Sequence, residues 1–245
     1  MTDSTQRFGD RADAYAAHRP SYPPEAIDAV LAGLGDPRAL TVADLGAGTG
    51  ISSRLLTERG AKVVAVEPNA KMRAAAGLEA GIEWRDGTGE ATGLPDASVQ
   101  LAAAFQAFHW FATPAGMAEM RRIATRRAAL VQYERDARDP FTSAYGDVVE
   151  RYALDDTEER RAQALRAFAA FPGASIARSE FASTQRLNLE GLLGRAASSS
   201  YLPQSGNANK AMVADLRGLF ALCAKDGFVT FAMTTFVITA DFGTA

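Results

Sequence analysis

The chain holds a single cysteine, Cys223, and only two histidines, His18 and His109. One thiol forbids an intrachain disulfide and a thiolate zinc cage. Two imidazoles argue against a histidine-rich centre, so no metal site is expected. Basic residues are not in excess either: 26 Lys and Arg stand against 29 Asp and Glu, a formal net charge of −3. A protein that depends on phosphate-backbone contacts needs a cationic surplus, so no nucleic-acid partner is expected. No apolar run approaches the roughly 20 residues of a membrane span. Residues 1–10 are polar and lack the apolar stretch of a secretory signal. These absences leave a soluble, cytoplasmic protein as the expectation. With 47% hydrophobic and 22% charged residues, the 245-residue composition is that of a globular chain and not a disordered or fibrous one.

What is present alternates. Pro23 and Pro24 open a helix with Ile27, Val30, Leu31 and Leu34 on one face. Residues 40–45 form a short apolar strand that runs into glycines, and a helix over 52–59 stops at Gly60. Further strands are expected at 61–66, 82–85, 99–105 and 128–133. Helices fall between them, one capped by Asn69 and one starting near Pro114. Alternation of this kind gives βαβ units, a parallel sheet and helices on both faces. The second half is different. Residues 136–177 look helical and rich in Arg, Glu and Ala, with Leu165, Phe168 and Phe171 as their apolar core. A strand over 178–187, a helix marked by Leu189, Leu192 and Ala196, and a loop at 205–209 follow. Then come a helix carrying Met212, Leu216 and Cys223, the thiol on its buried stripe, and a last strand or hairpin over 228–240. Arg121, Arg122, Arg126 and Arg127 are expected on an exposed helix face and its end.

The most informative stretch is Asp44-Leu45-Gly46-Ala47-Gly48-Thr49-Gly50. A strand ends, glycines follow at alternate positions, and a helix begins. Such glycines let the backbone turn sharply and approach a ligand, and the helix start adds free N–H groups. The dinucleotide fingerprint needs a further glycine at position 51, where Ile51 stands, and no P-loop lysine follows. A pyrophosphate ligand therefore loses support, while a carboxylate-bearing nucleoside remains. Glu67 ends the second strand about 20 residues beyond Gly48, where an acidic side chain accepts hydrogen bonds from ribose hydroxyls.

At these residues the chain resembles the class I S-adenosylmethionine-dependent methyltransferases. It is most similar to the small-molecule type 11 group that includes ubiquinone-biosynthesis and trans-aconitate methyltransferases. The resemblance rests on the loop with Asp44, on Glu67, and on four further pieces. These are Tyr15-Ala-Ala-His-Arg19-Pro20-Ser-Tyr22, Gly89-Glu90-Ala-Thr-Gly-Leu94-Pro95, Gln106-Ala-Phe-His109-Trp110-Phe111 and Ser198-Ser-Ser-Tyr201. It implies an α/β, doubly wound, mostly parallel Rossmann-like sheet of seven strands, the last antiparallel, with a helical lid insertion. One domain is expected: a cover (1–36), a cofactor-binding core (37–135), a lid (136–177) and a C-terminal part that completes the sheet (178–245). The implied cofactor is S-adenosylmethionine. Gly46, Ala47, Gly48 and Gly50 would face its methionine part, Asp44 its ammonium, Glu67 the ribose, and Pro68 and Met72 the adenine. Thr88, Gly89 and Glu90 would border the adenine edge and Gln106 the methionine end, with Tyr15 and Arg19 folded over the site, Arg19 toward the carboxylate.

The acceptor is expected to be a small molecule. His109 is the candidate catalytic base, and Trp110 and Tyr201 are candidate substrate contacts. An electrophilic methyl group needs a positioned nucleophile and little else, so no triad or metal is required. Two alternatives share parts of this pattern: an NAD(P)-dependent oxidoreductase, and a non-catalytic S-adenosylmethionine-binding protein of the same fold.

Overall fold

The computed structural model describes residues 19–77 and 79–243. Tyr15 and His18 lie outside the described residues. Seven strands form one sheet: β1 (Thr41–Leu45), β2 (Lys62–Val66), β3 (Ile82–Arg85), β4 (Val99–Phe105), β5 (Ala124–Arg135), β6 (Ser175–Leu187) and β7 (Val229–Asp241). Their order is β3-β2-β1-β4-β5-β7-β6. The first five are mutually parallel, and β7 runs antiparallel between β5 and β6. This is the doubly wound sheet expected from the alternation. The last strand does not sit at the edge but is inserted before the sixth.

Helices α1 (Pro24–Leu31), α2 (Ile51–Glu58), α3 (Ala70–Ala76), α4 (Pro114–Ile123), α5 (Pro140–Tyr152), α6 (Thr157–Phe168), α7 (Leu189–Ala197) and α8 (Gly206–Cys223) complete the described part. Local chemistry sets several of their starts. Pro24 stands at the first turn of α1, where no amide hydrogen is needed. Asn69 accepts from the Lys71 and Met72 amides, and Thr113 from the Gly116 amide. The central strands are apolar on both sides because each face is covered. One face packs Ile27, Val30, Leu56, Tyr145 and Leu216; the other packs Phe108, Phe111, Met120, Phe168 and Phe171. Phe168 and Phe171 are core, as expected, with Phe168 edge-on to Phe108 at 5.1 Å between ring centroids.

Several expectations need correcting. Strand β5 begins at Ala124, four residues early, because Arg126 and Arg127 hide its start. Those two arginines are on a strand and not on a helix. Arg127 is buried, forms a two-pronged pair with Asp241 at 2.6 and 3.0 Å, and donates to the Val30 and Ala32 carbonyls. Arg126 donates to the Gly33 and Leu34 carbonyls. Both thus satisfy carbonyls at and beyond the end of α1, which the helix itself leaves without partners. The helical stretch ends at Phe168, and residues 175–177 already belong to β6. Residues 206–209 are not a loop but the first turn of α8: the amphipathic run behind them outweighs local Gly and Asn propensity. The final segment is one strand, paired with β6 from Ser175↔Asp241 to Leu187↔Val229, and not a hairpin. Cys223 is half-buried and not enclosed.

Candidate active site

The glycine loop lies at the carboxyl end of β1, beside β2 and β4. Gly46, Gly48 and Gly50 all adopt left-handed backbone, with φ of 71°, 58° and 78°. Only glycine takes up such a series without strain. The Gly46 and Ala47 amides both donate to the Val66 carbonyl, at 2.8 and 3.2 Å. The Gly48 amide donates to Glu67 Oε2 at 3.0 Å, and the Asn69 amide to Oε1 at 2.9 Å. Glu67 therefore ties the loop to the tip of β2, a task its sequence position did not announce. Burial pushes its pKa up, against the pull of those two amides. Each oxygen keeps a lone pair for a further donor.

Asp44 sits beneath the loop and does not line the cleft. It is fully buried and accepts from the Ser52 and Ser53 hydroxyls at 2.7 and 2.6 Å. Burial pushes its pKa up to about 6, despite those two bonds. Its other oxygen, Oδ1, is buried with no hydrogen-bond partner among the described residues.

The cleft above the loop gathers twelve of the expected residues: Arg19, Gly46, Gly48, Glu67, Pro68, Met72, Thr88, Gly89, Glu90, Gln106, His109 and Trp110. Ala47 and Gly50 are not on its wall; Gly50 is the residue preceding α2, where a Cβ would stand 3.1 Å from the Trp84 ring. Tyr201 lines a neighbouring cavity instead. The close approaches are real constraints: a Cβ at Gly46 would meet Ala107 Cβ at 2.6 Å, and one at Gly89 would overlap the Phe111 ring. The 88–96 rim is held by Glu119, which accepts from the Thr92 amide and hydroxyl and from Arg122, itself paired with Asp96. Arg122 and Thr92 pull the Glu119 carboxyl down to about 2. Gln106 follows β4 with φ of 53°, and its Oε1 is buried without a partner among the described residues.

His109 lies in a short 3-10 turn, Phe108–Trp110, its ring 4.8 Å from the Trp110 ring and tilted at 42° to it. Burial, with Arg161, Arg160 and Arg19 nearby, holds its pKa well below the ordinary histidine value, so the imidazole is neutral at pH 7. Its Nδ1 has no hydrogen-bond partner among the described residues. Ala107, Arg161 and Ser200 also line the cleft and were not among the candidates. Ser200 sits beside the Tyr201 already singled out. Nothing in the run of charges on α6 distinguishes Arg161 from Arg160.

Residues 43–132 match a family model described as a methyltransferase domain. The match is confined to this stretch. It spans β1 to nearly the end of β5 and so includes the glycine loop, Glu67, Gln106 and His109. Arg19, Arg161, Ser200 and Tyr201 lie outside it. An uncharacterized methyltransferase of Mycobacterium tuberculosis is 38% identical over 155 residues, covering 61% of this chain and 61% of that protein. An uncharacterized methyltransferase of Schizosaccharomyces pombe is 29% identical over 146 residues, 58% of each. The chain thus spans less than two thirds of the length of these curated relatives. A structure described as a type II methyltransferase from Anaeromyxobacter dehalogenans superposes with a TM-score of 0.69 at 22% identity, covering 92% of this chain and 98% of that one. One from Anabaena variabilis, described as a methyltransferase of an antibiotic biosynthesis pathway, gives 0.63 at 21% identity, covering 89% and 98%. Both likenesses show that one shared fold extends over nearly the whole chain.

Proposed function

We propose that the protein transfers a methyl group from S-adenosylmethionine to a small-molecule acceptor. The observation that carries this reading is the run of three left-handed glycines with Glu67 bonded across it, opening a cleft beside a strand-end carboxylate. The residues fit the cofactor. Gln106 Oε1, on the cleft wall, is a buried acceptor without a donor, and the cofactor's ammonium is a donor; Asp44, beneath the loop, adds its negative charge from behind. Glu67 retains acceptor capacity for two ribose hydroxyls. Pro68, Met72 and the 88–90 rim offer an apolar slot with a polar edge for adenine, and Arg19 offers a cation for the carboxylate. When bound, the cofactor supplies a methyl group on a sulfonium sulfur that leaves with the bonding electron pair.

The chain's own part is to hold, shield and deprotonate. Phe105, Trp110 and Phe111 line the cleft with apolar surface that excludes water. His109 is neutral and takes the proton of a hydroxyl, thiol or amine acceptor as it reacts. Trp110 contacts the acceptor on one side, and Tyr201 reaches it from the adjoining cavity. Helix α6, which brings Arg161 to the cleft wall, covers the opening as a lid. The oxidoreductase alternative has no support: Ile51 occupies the position where the dinucleotide fold needs glycine, and the related chains are described as methyltransferases. Calorimetric titration tests the reading. S-adenosylhomocysteine binds with micromolar affinity and NAD+ does not; tight NAD+ binding without S-adenosylhomocysteine binding defeats it.

A further inference from the structure

Behind the cleft lies a second cavity, lined by Arg19, Arg135, Arg161 and Arg195 against only two carboxylates, Glu134 and Glu158. Arg19 and Arg161 line both cavities and form the boundary between them. Arg135 and Arg161 share Glu158, at 3.3 Å each. Arg195 shares nothing of the kind. It is 8% exposed, lies 4.0 Å over the Phe231 ring, and donates to Gln185 Oε1 at 2.7 Å and toward Met233 Sδ at 3.5 Å. No carboxylate pairs with it among the described residues. A guanidinium does not escape this cost by losing its proton. A buried cation without a counter-charge is expensive, by several kcal/mol in general.

The field of this cluster is visible on Tyr133, whose hydroxyl accepts from Arg19 at 2.9 Å. Burial opposes ionisation there, yet Arg19, Arg195 and Arg161 outweigh it and bring the phenol to about 8. A cationic chamber next to a methyl-transfer cleft wants an anion.

We propose that this second cavity binds an oxyanion of the acceptor, a carboxylate or a phosphate, with Arg195 as its principal counter-charge. The substrate class is then small organic anions, anchored behind the Arg19–Arg161 boundary with the methyl-accepting atom on the His109 side. The anion is the anchor, and the bond-making remains that of the proposed methyl transfer, on which this inference rests.

Calorimetry separates the two. Wild-type protein is titrated with S-adenosylhomocysteine, and then, saturated with it, with succinate, inorganic phosphate and the neutral succinamide. The expected result is binding of succinate or phosphate with no binding of succinamide. The arm that binds identifies the acceptor as carboxylate or phosphate. Arg195→Met, which keeps the apolar stem over Phe231, weakens that anion by roughly 30-fold or more and leaves S-adenosylhomocysteine affinity within twofold. If neither anion outperforms succinamide on wild type while S-adenosylhomocysteine binds, the anion site is wrong and the methyltransferase reading stands. Unchanged anion affinity in Arg195→Met also overturns it. Absence of S-adenosylhomocysteine binding on wild type defeats the cofactor reading instead.

Discussion

The two adjoining cavities are built by different means. The first is mostly backbone: left-handed glycines, amides aimed at Val66 and Glu67, and strand ends, all from one stretch of parallel β-α units. The second is almost wholly side chain, with cations drawn from the N-terminal segment, β5, α6 and α7. A backbone cradle is set by glycine spacing and serves a ligand common to a whole family. A side-chain chamber assembled from distant elements is free to differ from one relative to the next, which is where acceptor choice belongs.

That contrast breaks first at Gly46. Valine there meets both a left-handed φ and Ala107, so S-adenosylhomocysteine affinity falls by on the order of 100-fold or more, while circular dichroism shows the sheet intact. Near-normal affinity would mean that the loop does not cradle the ligand. Glu67→Gln sharpens the same point. The amide oxygen still accepts one of the two loop amides, but the charge is gone, and affinity drops roughly 30-fold, about 2 kcal/mol. Wild-type affinity would reduce Glu67 to a loop tether.

Glu119 is the place where side chains prop up the backbone-built cleft. Glu119→Ala costs about 2–3 kcal/mol of stability by urea denaturation. Because Arg122 and Thr92 lower its carboxyl from 4.5 to about 2, its contribution is present above pH 4.5 and disappears as pH falls toward 2. A loss that persists unchanged at pH 2 would show that shape, not charge, holds the rim. The smallest effect is on Asp44, and its sign is opposite. Burial raises its pKa from 3.8 to about 6, so the ionised form strains the ligand-free protein above pH 6, and that strain fades below 3.8. Asp44→Asn therefore raises the melting temperature at pH 7–8, the shift setting an upper limit of about 3 kcal/mol of stability from which the weakened serine bonds subtract, and it weakens S-adenosylhomocysteine. A variant that is less stable at pH 8 would mean the two serine bonds outweigh the buried charge.

The same division decides what was legible in the sequence. Strands β1 to β4 and the glycine loop follow from local rules: β-branched runs, glycine punctuation and an acidic residue at a strand tip. The start of β5 did not, because Arg126 and Arg127 look like surface charges until the end of α1 is packed against them. Nor did the start of α8, where local composition favours a loop and tertiary packing favours a helix. Glu67 follows β2, as its sequence position implies, but its hold on Gly48 needs the fold to bring β2 beside the loop. Arg161 and Arg195 carried no local signal, since a charge on a helix looks the same whether it faces water or a cavity.

The insertion of β7 between β5 and β6 has a consequence for the order of assembly on the ribosome. β6 is synthesised before β7, yet it touches the sheet only through β7. Five parallel strands can therefore collapse around their helices while β6 waits as an unpaired 13-residue segment, with Arg178, Glu180 and Arg186 along it to discourage wrong partners. Phe231 on β7 supplies the surface under Arg195. The nascent chain thus completes its glycine cradle early, and the arginine chamber is the last part of the molecule to come into being.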